Sequence, residues 1–117
     1  MKKFLNLEGG LFLSLLVGMI SVGFAVESDP ERWEDAIGAF ESSDKRQFPD
    51  QVDILFLGSS SIKLWDLEEW FPGRKTLNRG FGGSQISDSL YYADRVVFPY
   101  SPGIIVFYAG DNDSLSA

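Results

Sequence analysis

Apolar residues in the central part of the chain recur first at Trp33, Ile37 and Phe40, spaced by four and three, with Glu34, Asp35 and Glu41 elsewhere on the helical wheel. This spacing predicts an amphipathic packing helix. Its start is written in Ser28-Asp29-Pro30-Glu31, where Ser28 is the expected N-cap, Glu31 closes a capping box and Pro30 sits in the first turn. From Ser42 to Asp50 no period is visible, and a surface connection with solvated charges is expected. Ile54-Leu55-Phe56-Leu57, stopped by Gly58, has the continuous apolar pattern of a strand buried on both faces, as in a parallel sheet. Between Ser61 and Trp70 a short helix is expected, with Trp65 and Trp70 as core residues, before Phe71-Pro72-Gly73 breaks the chain. Thr76-Leu77-Asn78 reads as a second strand. Ile86, Leu90, Ala93 and Val97 then form one buried helical stripe that leaves Asp88 and Arg95 outside it, and Pro99 and Pro102 end the helix. Ile104 to Ala109 is the strongest strand pattern in the chain, apolar on both faces.

The alternation of helix and strand predicts an α/β fold: right-handed crossovers and a doubly wound parallel sheet with helices on both faces. Such sheets usually continue past three strands. The pattern therefore reads as one truncated after the third strand, with Ile104 to Ala109 lacking cover. An uncovered apolar edge strand pairs readily with other chains, so aggregation or partial unfolding of the isolated product is expected.

Composition adds the amino-terminal part of the picture. Lys2 and Lys3 precede a mostly apolar run from Leu11 to Phe24, and Gly23 and Ala25 stand in the −3 and −1 relation of a signal-peptidase site. Residues 1–25 are thus expected to be a cleaved secretory signal, because the run is shorter than the ~18 to 20 residues of a spanning helix. Export to a periplasmic or extracellular location follows, with no stable membrane anchor after cleavage. Residues 26–117 form one small domain. With 44% hydrophobic and 15% aromatic residues the chain has enough apolar side chain for a core. Ten basic against seventeen acidic residues, net −7, make nucleic acid and anionic membrane surfaces poor partners. Cys is absent, which excludes disulfides and thiolate chemistry, and His is absent, which removes the commonest general base and metal ligand.

In open parallel α/β sheets binding and reacting groups gather beyond the carboxyl ends of the strands. Three polar, glycine-rich turns fall there: Gly58-Ser59-Ser60-Ser61, Gly80-Phe81-Gly82-Gly83-Ser84 and Gly110-Asp111-Asn112-Asp113. Each alone reads equally as an ordinary turn. The first can be a Ser-capped helix start or a nucleophile turn in which a hydroxyl projects into the crevice while a backbone N–H faces a developing oxyanion. Lys63 without a second spaced glycine does not make a phosphate loop. In the second turn glycine lets a backbone N–H approach a substrate oxygen. Asn112 is an ordinary turn residue or an amide donor. Asp111 and Asp113 offer too few oxygens for a hard-cation site, so neither metal nor cofactor is expected.

Together, ILFLGSSSI (54–62), NRGFGGS (78–84) and YAGDND (108–113) resemble, in order, the first three sequence blocks of the SGNH/GDSL hydrolases, flavodoxin-like esterases, lipases and acylhydrolases. That resemblance implies Ser60 as nucleophile with its own N–H in the oxyanion hole, Gly83 as a second backbone donor and Asn112 as a side-chain donor. Ser59 stands where the family usually has Asp. The family's later Asp and His, three residues apart, have no counterpart in the 117 residues, and a serine without an adjacent base is a poor nucleophile.

Three readings follow. One is the amino-terminal portion of an exported serine ester hydrolase acting through an acyl-Ser60 intermediate on a small-molecule ester, inactive as this chain. Another is a non-catalytic secreted α/β module whose crevice binds a small ester or glycan. The third is a structural or interaction domain in which the turns do nothing chemical.

Overall fold

The computed structural model describes residues 29–115. The expected signal, its cleavage site and the Ser28 cap lie outside the described residues. In place of Ser28, the Asp29 carboxylate accepts from Glu31 N at 3.0 Å and opens a 3-10 turn, Pro30–Trp33. Helix α1, Glu34–Arg46, follows. Strand β1 is Ile54–Gly58, followed by the single-turn helices α2, Ser60–Lys63, and α3, Leu67–Trp70. Strand β2 is Thr76–Gly80, then α4, Ile86–Tyr91, and α5, Ala93–Val96. A 3-10 turn, Phe98–Tyr100, leads into β3, Ile104–Tyr108, and α6, Asp111–Leu115.

The sheet is parallel with order β2-β1-β3. Its registers align Gly58 with Gly80 on one side and with Tyr108 on the other, so all three strands end level. Strand alternation sends Leu55 and Leu57 to one face and Ile54 and Phe56 to the other. On the first face Leu55 and Leu57 pack with Ile37, Phe81, Tyr92 and Val96, under α1, α4 and α5. On the second, Phe56 packs with Ile62, Leu67, Phe71 and Val106, under α2 and α3. Helices thus cover both faces, as expected for an α/β sheet of the flavodoxin-like kind. Each fully buried residue of the size of Phe56 or Leu55 contributes about 1.5–3 kcal/mol.

Glycine makes the strand ends possible. A Cβ on Gly58, whose φ is +149°, would lie 1.9 Å from the Tyr108 carbonyl oxygen, and one on Gly80 would lie 2.4 Å from Lys63 N. Helix α2 can therefore sit directly against the end of β2.

Several expectations are corrected. Helix α1 runs to Arg46 instead of yielding to a loop at Ser42, and Asp44 on it is no solvated charge. Both oxygens of its carboxylate accept from Arg79 Nη2, at 2.6 and 2.8 Å, and one also pairs with the Tyr100 hydroxyl. Arg79 on β2 is buried, its guanidinium held between the Phe40 and Tyr100 rings at 4.8 Å from each centroid. Trp70 is 65% exposed, because the single turn of α3 buries only Leu67. Trp65 is also exposed, although its ring makes T-shaped contacts with Phe56 and Phe71.

The stripe Ile86, Leu90, Ala93, Val97 does not face the core as a whole. The helix breaks at Tyr92 (φ −95°, ψ 2°), and the residues turned inward are Asp88, Ser89, Tyr92 and Val96, together with Val97. Asp88, expected outside, is fully buried, whereas Leu90 is 77% exposed. The physical reason lies at β3. Its side chains Ile104, Ile105, Phe107 and Tyr108 are exposed, and Ile86 and Leu90 look across an open groove at Ile105 and Phe107. A short helix, α6, does follow β3, but it lies at the carboxyl end of the strand.

Candidate functional site

The level strand ends bring the three glycine-rich turns side by side, with the β1 turn in the middle. The three serines of the first turn part company. Ser59 is buried, its N–H donating to Tyr108 O at 3.3 Å, and its carbonyl accepts from Lys63 N at 3.0 Å. It occupies the N-cap of α2 without a side-chain cap bond. Ser60, the first helical residue, is exposed, and a Cβ built on Gly82 would lie 3.8 Å from Ser60 Cβ. Ser61 is exposed on the other side, beside Trp65, Val106 and Tyr108. Ser60 is therefore the serine that abuts the second glycine turn. A first-turn residue of a helix has no intrahelical acceptor for its N–H, which leaves that group directed outward along the helix axis.

Gly83 in the second turn is exposed and has φ +79°, a conformation that L side chains rarely adopt. A Cβ there would approach Trp33 Cη2 to 3.2 Å. The turn is stitched to its surroundings from three sides. Ser84 is fully buried and its hydroxyl donates to Gly58 O at 3.4 Å. The buried Asp88 carboxylate accepts from Gln85 N at 2.8 Å. From the third turn, Asn112 Nδ2 donates to Ser84 O at 2.9 Å, and the Asp113 carboxylate accepts from Ile86 N at 3.2 Å. Asn112 is half-buried. The structure thus brings the turns that carry Ser60, Gly83 and Asn112 to one end of the sheet, with Gly82 beside Ser60 and Asn112 bonded to Ser84 O.

Two further residues, neither expected at the site from the sequence, hold this arrangement. Asn78 on β2 donates from Nδ2 to Ile62 O at 2.7 Å and accepts from Gly80 N at 2.9 Å, clamping α2 to the strand. Nothing in the local pattern marks it. Asp88 was legible in principle, since Gln85 and Asp88 stand at N-cap and N3 of α4 in capping-box spacing.

Beside the site, a cleft of about 360 Å³ opens at the edge of β2 between Ala36 and Phe40 of α1, Phe81, and Lys63. The Lys63 stem borders both this cleft and Gly82. Among the described residues no cluster of acidic, His or Cys side chains could hold a metal ion.

The fold and the site define an α/β protein with a parallel sheet and its polar turns at the carboxyl ends of the strands. A solved chain from Streptococcus pneumonia, provisionally described as a platelet activating factor, shares this fold with a TM-score of 0.58 over 92% of the present chain, at 20% identity. At that identity the likeness is one of fold. The present chain spans 45% of that chain's length. No family model matches the sequence, and no curated protein matches it.

Proposed function

We propose that this chain carries the nucleophile and oxyanion-binding half of an SGNH-type serine ester hydrolase. The observation that carries the reading is the convergence of the three turns, with Ser60 exposed at the start of α2 and against Gly82 while Ser59 is buried. In this reading Ser60 Oγ attacks the carbonyl carbon of an ester. Negative charge then gathers on the carbonyl oxygen, and the N–H groups of Ser60 and Gly83 donate to it together with the second Nδ2 hydrogen of Asn112, whose first is held by Ser84 O. The Ser60 hydroxyl proton passes through water to the departing alkoxide, so an alcohol leaves and an acyl-Ser60 remains, which water hydrolyses to the acid and free Ser60. The cleft beside Lys63 accommodates the apolar part of a small ester. The sequence holds no His, so no imidazole within these 117 residues takes the Ser60 proton. The chain by itself therefore lacks a base for turnover, and its Ser60 reacts only with strongly electrophilic reagents. In this reading residues 1–25 are a cleaved export signal. Among the described residues no helix is long and apolar enough to cross a membrane.

The test is prolonged exposure to a fluorophosphonate followed by peptide mapping. The expected result is an adduct confined to Ser60. An adduct on Ser59 or Ser61, or one spread equally over other serines such as Ser43 and Ser101, refutes the assignment and favours a crevice that only binds.

A further inference from the structure

The cleft at the edge of β2 is apolar except at one place. Ala36, Ala39 and Phe40 form one face of α1 and Phe81 stands across from them, and the two alanines keep the space open because neither side chain extends past Cβ. At about 360 Å³ the cleft is at the small end of ligand pockets, which suits a short chain and not a long lipid tail. Asn78 also lines it, but both ends of its amide are engaged inside the protein, Nδ2 donating to Ile62 O and Oδ1 accepting from Gly80 N. Lys63 differs. Its stem lies along the wall, the residue is exposed, and among the described residues no carboxylate pairs with its ammonium. All these walls fall between Ala36 and Phe81, with β1 between the cleft and β3, so growth of the sheet beyond β3 takes place at the opposite edge.

We infer, on the ester-hydrolase reading above, that this cleft takes one arm of the substrate, and that the arm is short, apolar along its length and ends in a carboxylate that Lys63 pairs with. A Cβ built on Gly82 would lie 3.8 Å from Ser60 Cβ and 3.7 Å from Lys63 Cδ, so nucleophile and lysine stem flank the same bare stretch of backbone. An ester carbonyl at Ser60 can send an arm over Gly82 into the cleft, where the ammonium, two bonds beyond Cδ, closes on its end. One lysine answers one negative charge. In a chain of net −7, that selects a carboxylate over a phosphate monoester, whose charge is about −1.5 to −2 at pH 7.

Two measurements on the full chain test this. In the first, Ser60→Ala is titrated with monomethyl adipate and with the uncharged dimethyl adipate, and binding is read from NMR shifts at Gly80 and Gly82. The half-ester should bind ~fivefold more tightly than the diester, the upper range for an ion pair open to water. Adding Lys63→Gln should remove the preference and Lys63→Arg should retain it, whereas Ala39→Leu, which fills the cleft from an exposed helix position, should weaken both esters alike. In the second, two fluorophosphonates with the same arm, one ending in a carboxylate and one in its methyl ester, are compared by the rate of adduct formation at Ser60. The carboxylate reagent should be faster by a similar factor, and Lys63→Gln should make the two equal. Equal binding of the two adipates, or a preference that survives Lys63→Gln, overturns the inference whatever Ser60 does. No Ser60 adduct with either reagent refutes the nucleophile instead, and the half-ester preference, measured without Ser60, still decides the cleft.

Discussion

At the scale of single residues, the site depends on backbones meeting where a side chain would not fit. Gly80 is the sharpest case, since a Cβ there meets the backbone of Lys63, and backbone cannot rotate away. Gly80→Ala should therefore destabilise the protein by about 1–3 kcal/mol or more and displace α2, as read from urea unfolding. Gly38, in the interior of α1, would have nothing within 4 Å of an added Cβ, and there the same change should stabilise by about 0.5–1 kcal/mol through helix propensity. The pair of variants separates close approach from conformational preference. Sequence showed that glycines cluster after each strand, which placed the turns. It did not show which of Ser59, Ser60 and Ser61 is exposed against the second turn, because that depends on how α2 rests on β2. The Asn78 clamp was invisible for the same reason: its partner, the Ile62 carbonyl, is set by tertiary packing.

At the scale of elements, two charge clusters of opposite character tie α1 to the rest of the fold. The Asp44–Arg79 pair is buried and Tyr100 shares it. Asp44→Ala leaves Arg79 buried without its carboxylate and should cost about 3–5 kcal/mol. Glu34→Ala, which removes one exposed partner of Arg95, should cost far less in the same denaturant titration, because water screens that pair. Around Arg95 the pH dependence has two arms. Hydrogen bonds from Arg95 hold Glu34 and Glu41 below the usual carboxylate range, so their contribution is present above the unfolded-state values and lost as pH falls through the lowered ones. Tyr92 behaves oppositely. Its ring is buried and its hydroxyl donates to Pro30 O at 3.0 Å and to Glu34, and burial followed by the Glu34 contact pushes its pKa up to about 12. Stability from the neutral phenol is therefore complete below about pH 10 and lost as pH rises through about 12. Thermal melts should show that loss in the wild type and a smaller one in Tyr92→Phe. Pattern alone located α1, β1 and β3, since continuous apolar runs and a four-three spacing need no tertiary knowledge, whereas β2 was legible mainly from the glycine-rich turn and the helical pattern that follow it. It misjudged α4 and α5, because the stripe it found is apolar for a reason other than the core: Leu90 and Ile86 border β3, while the sheet-facing side accepts Asp88 to bind Gln85 N.

At the scale of the whole molecule, the proposed reading assigns to the three turns two of the three functions that a serine ester hydrolase requires, and the sequence holds no imidazole for the third. The chain should hydrolyse short p-nitrophenyl esters no faster than Ser60→Ala; robust activity lost in that variant would reveal another base. The central claim, that Ser60 and the oxyanion donors form one working half-site, is tested most directly by the rate of fluorophosphonate adduct formation at Ser60, followed by intact mass in the parent chain and in Asn112→Ala. Removal of one oxyanion donor typically lowers rates ~10²- to 10³-fold. The account predicts that the adduct still forms at Ser60 in Asn112→Ala but markedly more slowly. Equal rates in the two proteins would contradict it.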